Sequence, residues 1–302
     1  MVMKRYITIL LSFLLFGTCL QAQLLWKISG NGLSKPSYIL GTYTYAPMNS
    51  IDKIPGLLEA CRAAEQVCGE VAITDSTQVE KINLELPEGT TFLSLFEEKD
   101  QQLLRTFFKK LYSFDVLTDP TYSKMSPLGV LASIEAIDFN LSAEKMFGHM
   151  RAGKTTFSDF IQKMTIELGR PVKGLVSRAT KQSYEVQRYD YDMPMKKQKK
   201  ALLDYVLHFS KVYEAMVQEI QAYQTQDLDS IKQHWYVSRT IRKNAKTTYN
   251  KEMQEWAANL PSIIASRSTL VILPVRALVD IKGRRSLLTL LKKQGYTVEP
   301  IK

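Results

Sequence analysis

The sequence predicts an α/β fold: a central mixed sheet built from N- and C-terminal strand–helix units, with a large helical section between them. Three observations predict it. Short apolar runs rich in strand-forming residues cluster at the two ends of the chain. A helical stretch at 57–65 joins two of the early runs, giving the strand–helix–strand unit of a parallel sheet. From 196 to 260 there is almost no turn signal, and Leu202, Leu203, Val206, Tyr213, Met216, Ile220 and Tyr223 repeat at helical spacing.

Element by element, strands are expected at 24–29, 37–43, 66–72, 172–176, 269–274 and 297–301. Leu103, Leu104, Phe107, Phe108 and Leu111 form one apolar stripe, which makes 100–112 a helix. Further helices are expected at 127–136 and 157–168. The long helical section breaks near 226–229, where an Asp can cap the next helix. A closing helix at 285–294 runs into Gly295, the residue type that suits the position just past a helix end. No repeat, low-complexity segment or long linker divides the chain. One domain over 23–302 is expected, carrying a helical insertion at about 100–260.

Residues 1–22 read as a secretory signal peptide. Lys4 and Arg5 supply the positive start, 6–16 the apolar core, and Ala22 the small residue before cleavage. That core is too short for a good membrane span, so no transmembrane segment is expected in the mature chain. Export places the protein in a periplasm or outside the cell, with lipidation of Cys19 as an anchored alternative. Without Lys4 and Arg5, 38 basic residues face 30 acidic ones, a net charge of +8. Such an excess favours anionic surfaces. The densest basic tract, 196–200, opens a helical pattern and reads as a solvated face. No aromatic interleaving or nucleic-acid motif accompanies it, so nucleic acid is not an expected partner. Of the remaining cysteines, Cys61 and Cys68 on one helix would sit about 10.5 Å apart, beyond the ~7 Å that a disulfide spans. If Cys68 lies on the following strand, the geometry is open. Both read as small buried hydrophobes.

The segment 35–47 carries the most information about function. Gly41 interrupts the second apolar run, and a glycine at the end of a buried strand lets backbone approach a ligand closely. Gly41, Thr42, Tyr43 and Thr44 are therefore candidate substrate-binding residues at a strand tip. The segment resembles the TraB/GumN family, which includes the Tiki metalloproteases. The family pattern, Gly-Thr-x-His followed by Ala-Pro, is met by Gly41, Thr42, Ala46 and Pro47, with Thr44 at the position of the histidine. The resemblance continues through 50–57 and 66–71, which sets Glu70 on the family's acidic residue. It returns at the end of the chain, in the strand at 270–273, Gly283, the closing helix, and Gly295-Tyr296 before Val298. Counting back from Gly295, the second family histidine falls on Asp280 and its glycine on Ala277. Segments at 87–91, 125–127 and 156–175 also have counterparts. Val176 stands where the family often has Glu. Tyr249 and Asn250 stand where it usually has Arg-Asn, so Asn250 alone survives there as a candidate binding residue. Nearly the whole mature chain is covered.

The resemblance implies a site in which two histidines and a glutamate at strand tips hold a divalent metal that activates water for peptide-bond hydrolysis. Imidazole nitrogen binds transition metals well, and the metal brings the pKa of its water toward neutrality. A threonine hydroxyl at position 44 does neither. Glu70 and Asp280 remain as candidate catalytic residues, a carboxylate pair suited to a hard cation. Read without the family, Glu70 pairs with an arginine or with backbone N–H groups, and Asp280 caps a loop. None of the three histidines replaces the lost pair: His149 lies between helices, His208 on an apolar helix facing a core or interface, and His234 beside Trp235 over the site. Nucleophile-elbow and phosphate-loop patterns are absent. Tyr43, Tyr45 and Tyr122 line an aromatic cleft or serve packing. Three functional readings follow. The first is a catalytically impaired relative that binds a peptide or protein in the retained cleft, with no metal ligands and no cofactor expected. The second is an active hydrolase with a site rebuilt on Glu70 and Asp280, requiring Mn, Co or Zn. The third is a non-catalytic envelope scaffold.

Overall fold

A computed structural model of the chain describes residues 24–44, 46–148, 155–234, 242–281 and 283–301. The expected signal peptide, Cys19, Tyr45 and His149 lie outside the described residues. Six strands, β1 (Leu25–Gly30), β2 (Ser37–Thr42), β3 (Gln66–Gly69), β4 (Val172–Gly174), β5 (Thr269–Pro274) and β6 (Tyr296–Pro300), form one mixed sheet. Their order across it is β4–β3–β5–β2–β1–β6. The four strands β4, β3, β5 and β2 run parallel, with Gly69 opposite Gly174 and Ile272, and Thr42 opposite Pro274. β1 pairs antiparallel with both β2 and β6. β5 is buried along nearly its whole length, as expected of an apolar run at the centre of a parallel sheet.

Eleven helices are described: α1 (Leu57–Ala63), α2 (Phe92–Leu95), α3 (Glu98–Tyr112), α4 (Pro127–Phe147), α5 (Phe157–Glu167), α6 (Arg178–Tyr189), α7 (Met195–Leu207), α8 (Phe209–Gln224), α9 (Leu228–His234), α10 (Arg242–Ser266) and α11 (Leu287–Lys293). The caps follow the chemistry of helix starts. Thr156 and Asp159 form a reciprocal capping box at α5, Asp227 accepts from the N–H groups of Asp229 and Ser230 at α9, and Ser286 accepts from Thr289 N at α11. Gly295 follows α11 at φ 94°, a conformation that side chains with a Cβ resist.

Two apolar cores result. One lies on the sheet and joins Ile28, Leu40 and Val271 to Trp256 and Leu260 of α10 and to Leu287 and Leu291 of α11. The other lies within the helical section, where Phe92, Leu104, Phe108, Leu128, Leu131, Leu202 and Tyr205 meet. Phe139 of α4 packs against both.

Several expectations need correction. The helix expected at 127–136 continues to Phe147, because apolar residues persist beyond 136: Phe139 packs against both cores, and Ala143, Met146 and Phe147 against the sheet core. The helical stretch 196–260 is broken a second time, at His208. This residue ends α7 and begins α8, and its Nδ1 lies 2.8 Å from Asp204 O. It is exposed and does not face a core. Tyr122 does not join Tyr43: it stacks on Phe114 at 4.7 Å within the second core, whereas Tyr43 packs on Tyr223 at 5.4 Å beside the sheet. Helix α6 was not anticipated, since Tyr184 is its one fully buried side chain and hydrophobic periodicity is silent there. Ser177, which accepts from Thr180 N at 3.1 Å, was the available start signal. Cys61 and Cys68 are both free, on α1 and β3 respectively. Burial pushes the Cys68 thiol up to about 12, which makes it inert.

Candidate functional site

Parallel strands end at one edge, and crevices at the carboxyl ends of such strands are where α/β proteins hold ligands. Here that edge carries Thr42 at the end of β2 and Tyr43 after it, Glu70 after β3, Leu175 and Val176 after β4, and Val275 and Arg276 after β5. Glycines let the backbone close up at these tips. A Cβ on Gly41 would meet Leu278 Cδ1 at 2.5 Å, and one on Gly174 would meet Ala72 N at 2.5 Å and Val176 O at 3.0 Å.

The sequence-predicted residues separate into three groups. Thr42 donates its hydroxyl to Leu273 O at 3.1 Å, while Tyr43 is buried and Thr44 exposed. Glu70 pairs with Lys181 of α6 at 3.0 Å, and its carbonyl accepts from Val176 N. Asp280 stands beyond the edge, exposed, and its carboxylate accepts from Ser286 N at 2.6 Å and from the Thr289 hydroxyl at 2.9 Å. Burial would raise Asp280, but the bonds from Ser286 and Thr289 outweigh it and hold the carboxyl below the usual range. Asn250 donates to Gly283 O at 3.2 Å. It lines a cleft of about 670 Å³ with Asp280, Lys232, Arg284 and Arg285. Asn250 and Asp280 are thus brought together, in a mainly basic cleft where Asp280 serves as a cap for α11.

What the sequence reading missed is a set of charges around Glu70. Glu252 of α10 is 1 % exposed at its side chain. It accepts from Arg188 Nη2 of α6 at 3.3 Å, and Arg276 Nη2 lies 3.9 Å from its other oxygen. The side chains of Arg188 and Arg276 are 17 % and 30 % exposed. Arg276 Nε is buried and has no hydrogen-bond partner among the described residues. Burial lifts Glu252 above the ordinary carboxylate range, against the pull of both arginines. It pulls Arg188 down. Arg276 is also penalised by burial, but the charges of Glu252 and Glu70 outweigh this and raise it. Tyr249, at the family's arginine position, is buried at 2 % and donates its hydroxyl to Arg276 O. A signal existed for both missed residues. Arg276 is the one charged residue between Thr269 and Val279, and Glu252 interrupts the buried stripe of Tyr249, Met253 and Trp256.

These residues do not fit the divalent metal that the resemblance implies. Position 44 offers a neutral hydroxyl, Asp280 is engaged by Ser286 N and the Thr289 hydroxyl, Glu70 is engaged by a lysine, and Arg276 already places a fixed cation where its charge acts on Glu70. Among the described residues no group of three or more His, Cys, Asp or Glu side chains is placed to hold a metal ion.

A sequence model of the TraB/PrgY/gumN family matches residues 24–300. No curated protein and no solved structure matches the chain. No helix among the described residues is long and apolar enough to cross a membrane.

Proposed function

From the premise that the chain belongs to the TraB/PrgY/gumN family, we propose that it is an exported, catalytically impaired relative of metal-dependent peptidases that binds a peptide or protein at the carboxyl edge of its parallel strands. One observation carries this reading: the polar groups at the family positions are already engaged by the protein itself. Glu70 is held by Lys181, the Thr42 hydroxyl by Leu273 O, and Asp280 by the first turn of α11. A site rebuilt on Glu70 and Asp280 would have to release both carboxylates from these partners. The edge retains half-open arginines and tyrosines, which suit binding better than hydrolysis.

The test is metal analysis of the purified mature protein, paired with a peptide-cleavage assay in added manganese or cobalt. The expected result is no stoichiometric transition metal and no cleavage. Stoichiometric metal, with cleavage abolished by Glu70→Ala, would overturn the reading in favour of a rebuilt site. Intact-mass measurement of the exported protein is expected to show a first residue at Gln23.

A further inference from the structure

Arg188 and Arg276 are close to one carboxylate that cannot use what they offer. Each guanidinium carries a planar fork of N–H donors. Glu252 takes one hydrogen bond from Arg188 and a single long ion pair from Arg276. The other candidate anions do not relieve this. Glu70 acts on both arginines through its charge but makes its ion pair with Lys181. Glu185, on the same helix as Arg188, acts on Arg276 through its charge but makes no ion pair with either arginine. Glu135 is pushed up to about 8 by burial and by Asp138, so it adds little negative charge at neutral pH. Among the described residues Glu252 is therefore the one carboxylate within ion-pair distance of the two arginines, and the Arg276 Nε lies buried without an acceptor. A buried donor left unmade is unfavourable.

The geometry restricts what completes the set. Glu252, at 1 % exposure, closes the inner side, while the arginines keep 17 % and 30 % of their side chains open on the outer side. Beside them, Tyr189 and Tyr191 stack at 5.5 Å with ring planes 21° apart. Both are half-buried, and Tyr189 is near enough to feel the charges of Arg188 and Arg276. A planar, two-oxygen anion matches a guanidinium fork, and an aromatic pair beside it suits the chain that carries the anion.

We propose that Arg188 and Arg276 form a carboxylate-recognition site on the outer side of Glu252. Resting on the peptide-binding reading above, the group received is the carboxylate of a bound peptide, from an acidic side chain or from the C-terminus. Lys181 and Glu252 are then positioning residues: the first takes the ion pair of Glu70, leaving the guanidinium forks open, and the second holds the two guanidinium groups side by side.

The test uses the whole mature chain with ¹⁵N-labelled arginine. It is titrated with acetyl-triglycine bearing a free carboxylate, with its C-terminal amide, and with acetyl-Gly-Glu-Gly amide. The Nε–H resonances of Arg188 and Arg276 are expected to shift saturably with the first or third peptide and not with the amide. Which of the two acts identifies the source of the carboxylate. Arg276→Gln is expected to weaken that binding about 10- to 100-fold, and Arg276→Lys, which keeps charge without the fork, by an intermediate factor. The lysine variant keeps the test decisive if the glutamine variant fails to fold. Equal shifts with the neutral amide, no shift with any probe, or binding indifferent to both substitutions would overturn the proposal. If longer amidated peptides bind without moving the arginines, the carboxylate site falls and the peptide reading stands. If acetate alone shifts both arginines and no peptide adds affinity, the site stands and the peptide reading falls.

Discussion

Glu252 and Glu135 are acidic residues whose charge burial disfavours, but with opposite surroundings, and their substitutions should behave differently. Glu252 lies beneath two guanidiniums. Removing it leaves two partly buried cations facing one another. Breaking a buried pair from one side costs far more than the pair is worth, because the remaining charge stays desolvated. Glu252→Ala is expected to lose about 3–5 kcal/mol, read as a lower urea midpoint with an unchanged slope. A loss no larger than the ~0.5 kcal/mol of a surface substitution would refute this. Glu135 has no cation on it. Burial and the nearby Asp138 push its acid from 4.5 up to about 8, and Tyr189, Tyr191 and Tyr205 are within reach of its charge. The unfolded chain ionises this group first as pH rises. Its contribution is therefore complete at low pH and declines between about 4.5 and 8. Glu135→Gln should flatten that decline, so its thermal midpoint should exceed the parent's most at the alkaline end. A gap that stays constant with pH would count against the assignment.

At the scale of elements, the strand tips decide how closely layers approach. The atom facing Gly41 is the far end of Leu278, which can rotate, whereas Gly174 faces the backbone of Ala72 and Val176. Gly41→Ala should cost about 1–3 kcal/mol and Gly174→Ala more, compared by thermal unfolding; equal or reversed losses would show that the edge is looser than it looks. The same tips show where the sequence was legible. The strands at 269–274 and 37–43 stood out as apolar runs because both lie in the sheet interior and carry little polar alternation. The run at 66–72 reads three residues too long, since Val71 and Ala72 continue the apolar composition after the strand has ended at Gly69. Helix α6 was invisible because its contacts are ionic. Lys181 and Arg188 meet Glu70 and Glu252, and no hydrophobic period reports such contacts.

For the whole molecule, a site assembled from β3, β5, α6 and α10 cannot be located by scanning any one segment. Resemblance placed Glu70 correctly at a strand end. It placed Asp280 by counting back from Gly295, and the structure sets that residue on the cap of α11. Arg276 follows β5 more closely, and only the shared sheet edge reveals its nearness to Glu252. The sheet itself has a further property. β1 and β6 are neighbours running in opposite directions, with Trp26 opposite Pro300 and Ile301 N donating to Leu25 O at 2.9 Å. Residues 24 and 301 therefore sit where a hairpin turn would fit. A circular permutant with a short Gly-containing turn from 301 to 24, reopened in the exposed stretch between Thr77 and Gln78, keeps every strand pair. It should melt within about 4 °C of the parent; failure to fold would show that the order of synthesis matters more than strand register. It would also let β1 and β6 pair locally, whereas in the natural order the first strand must wait for nearly the entire polypeptide, a large loop-closure entropy before that edge can form.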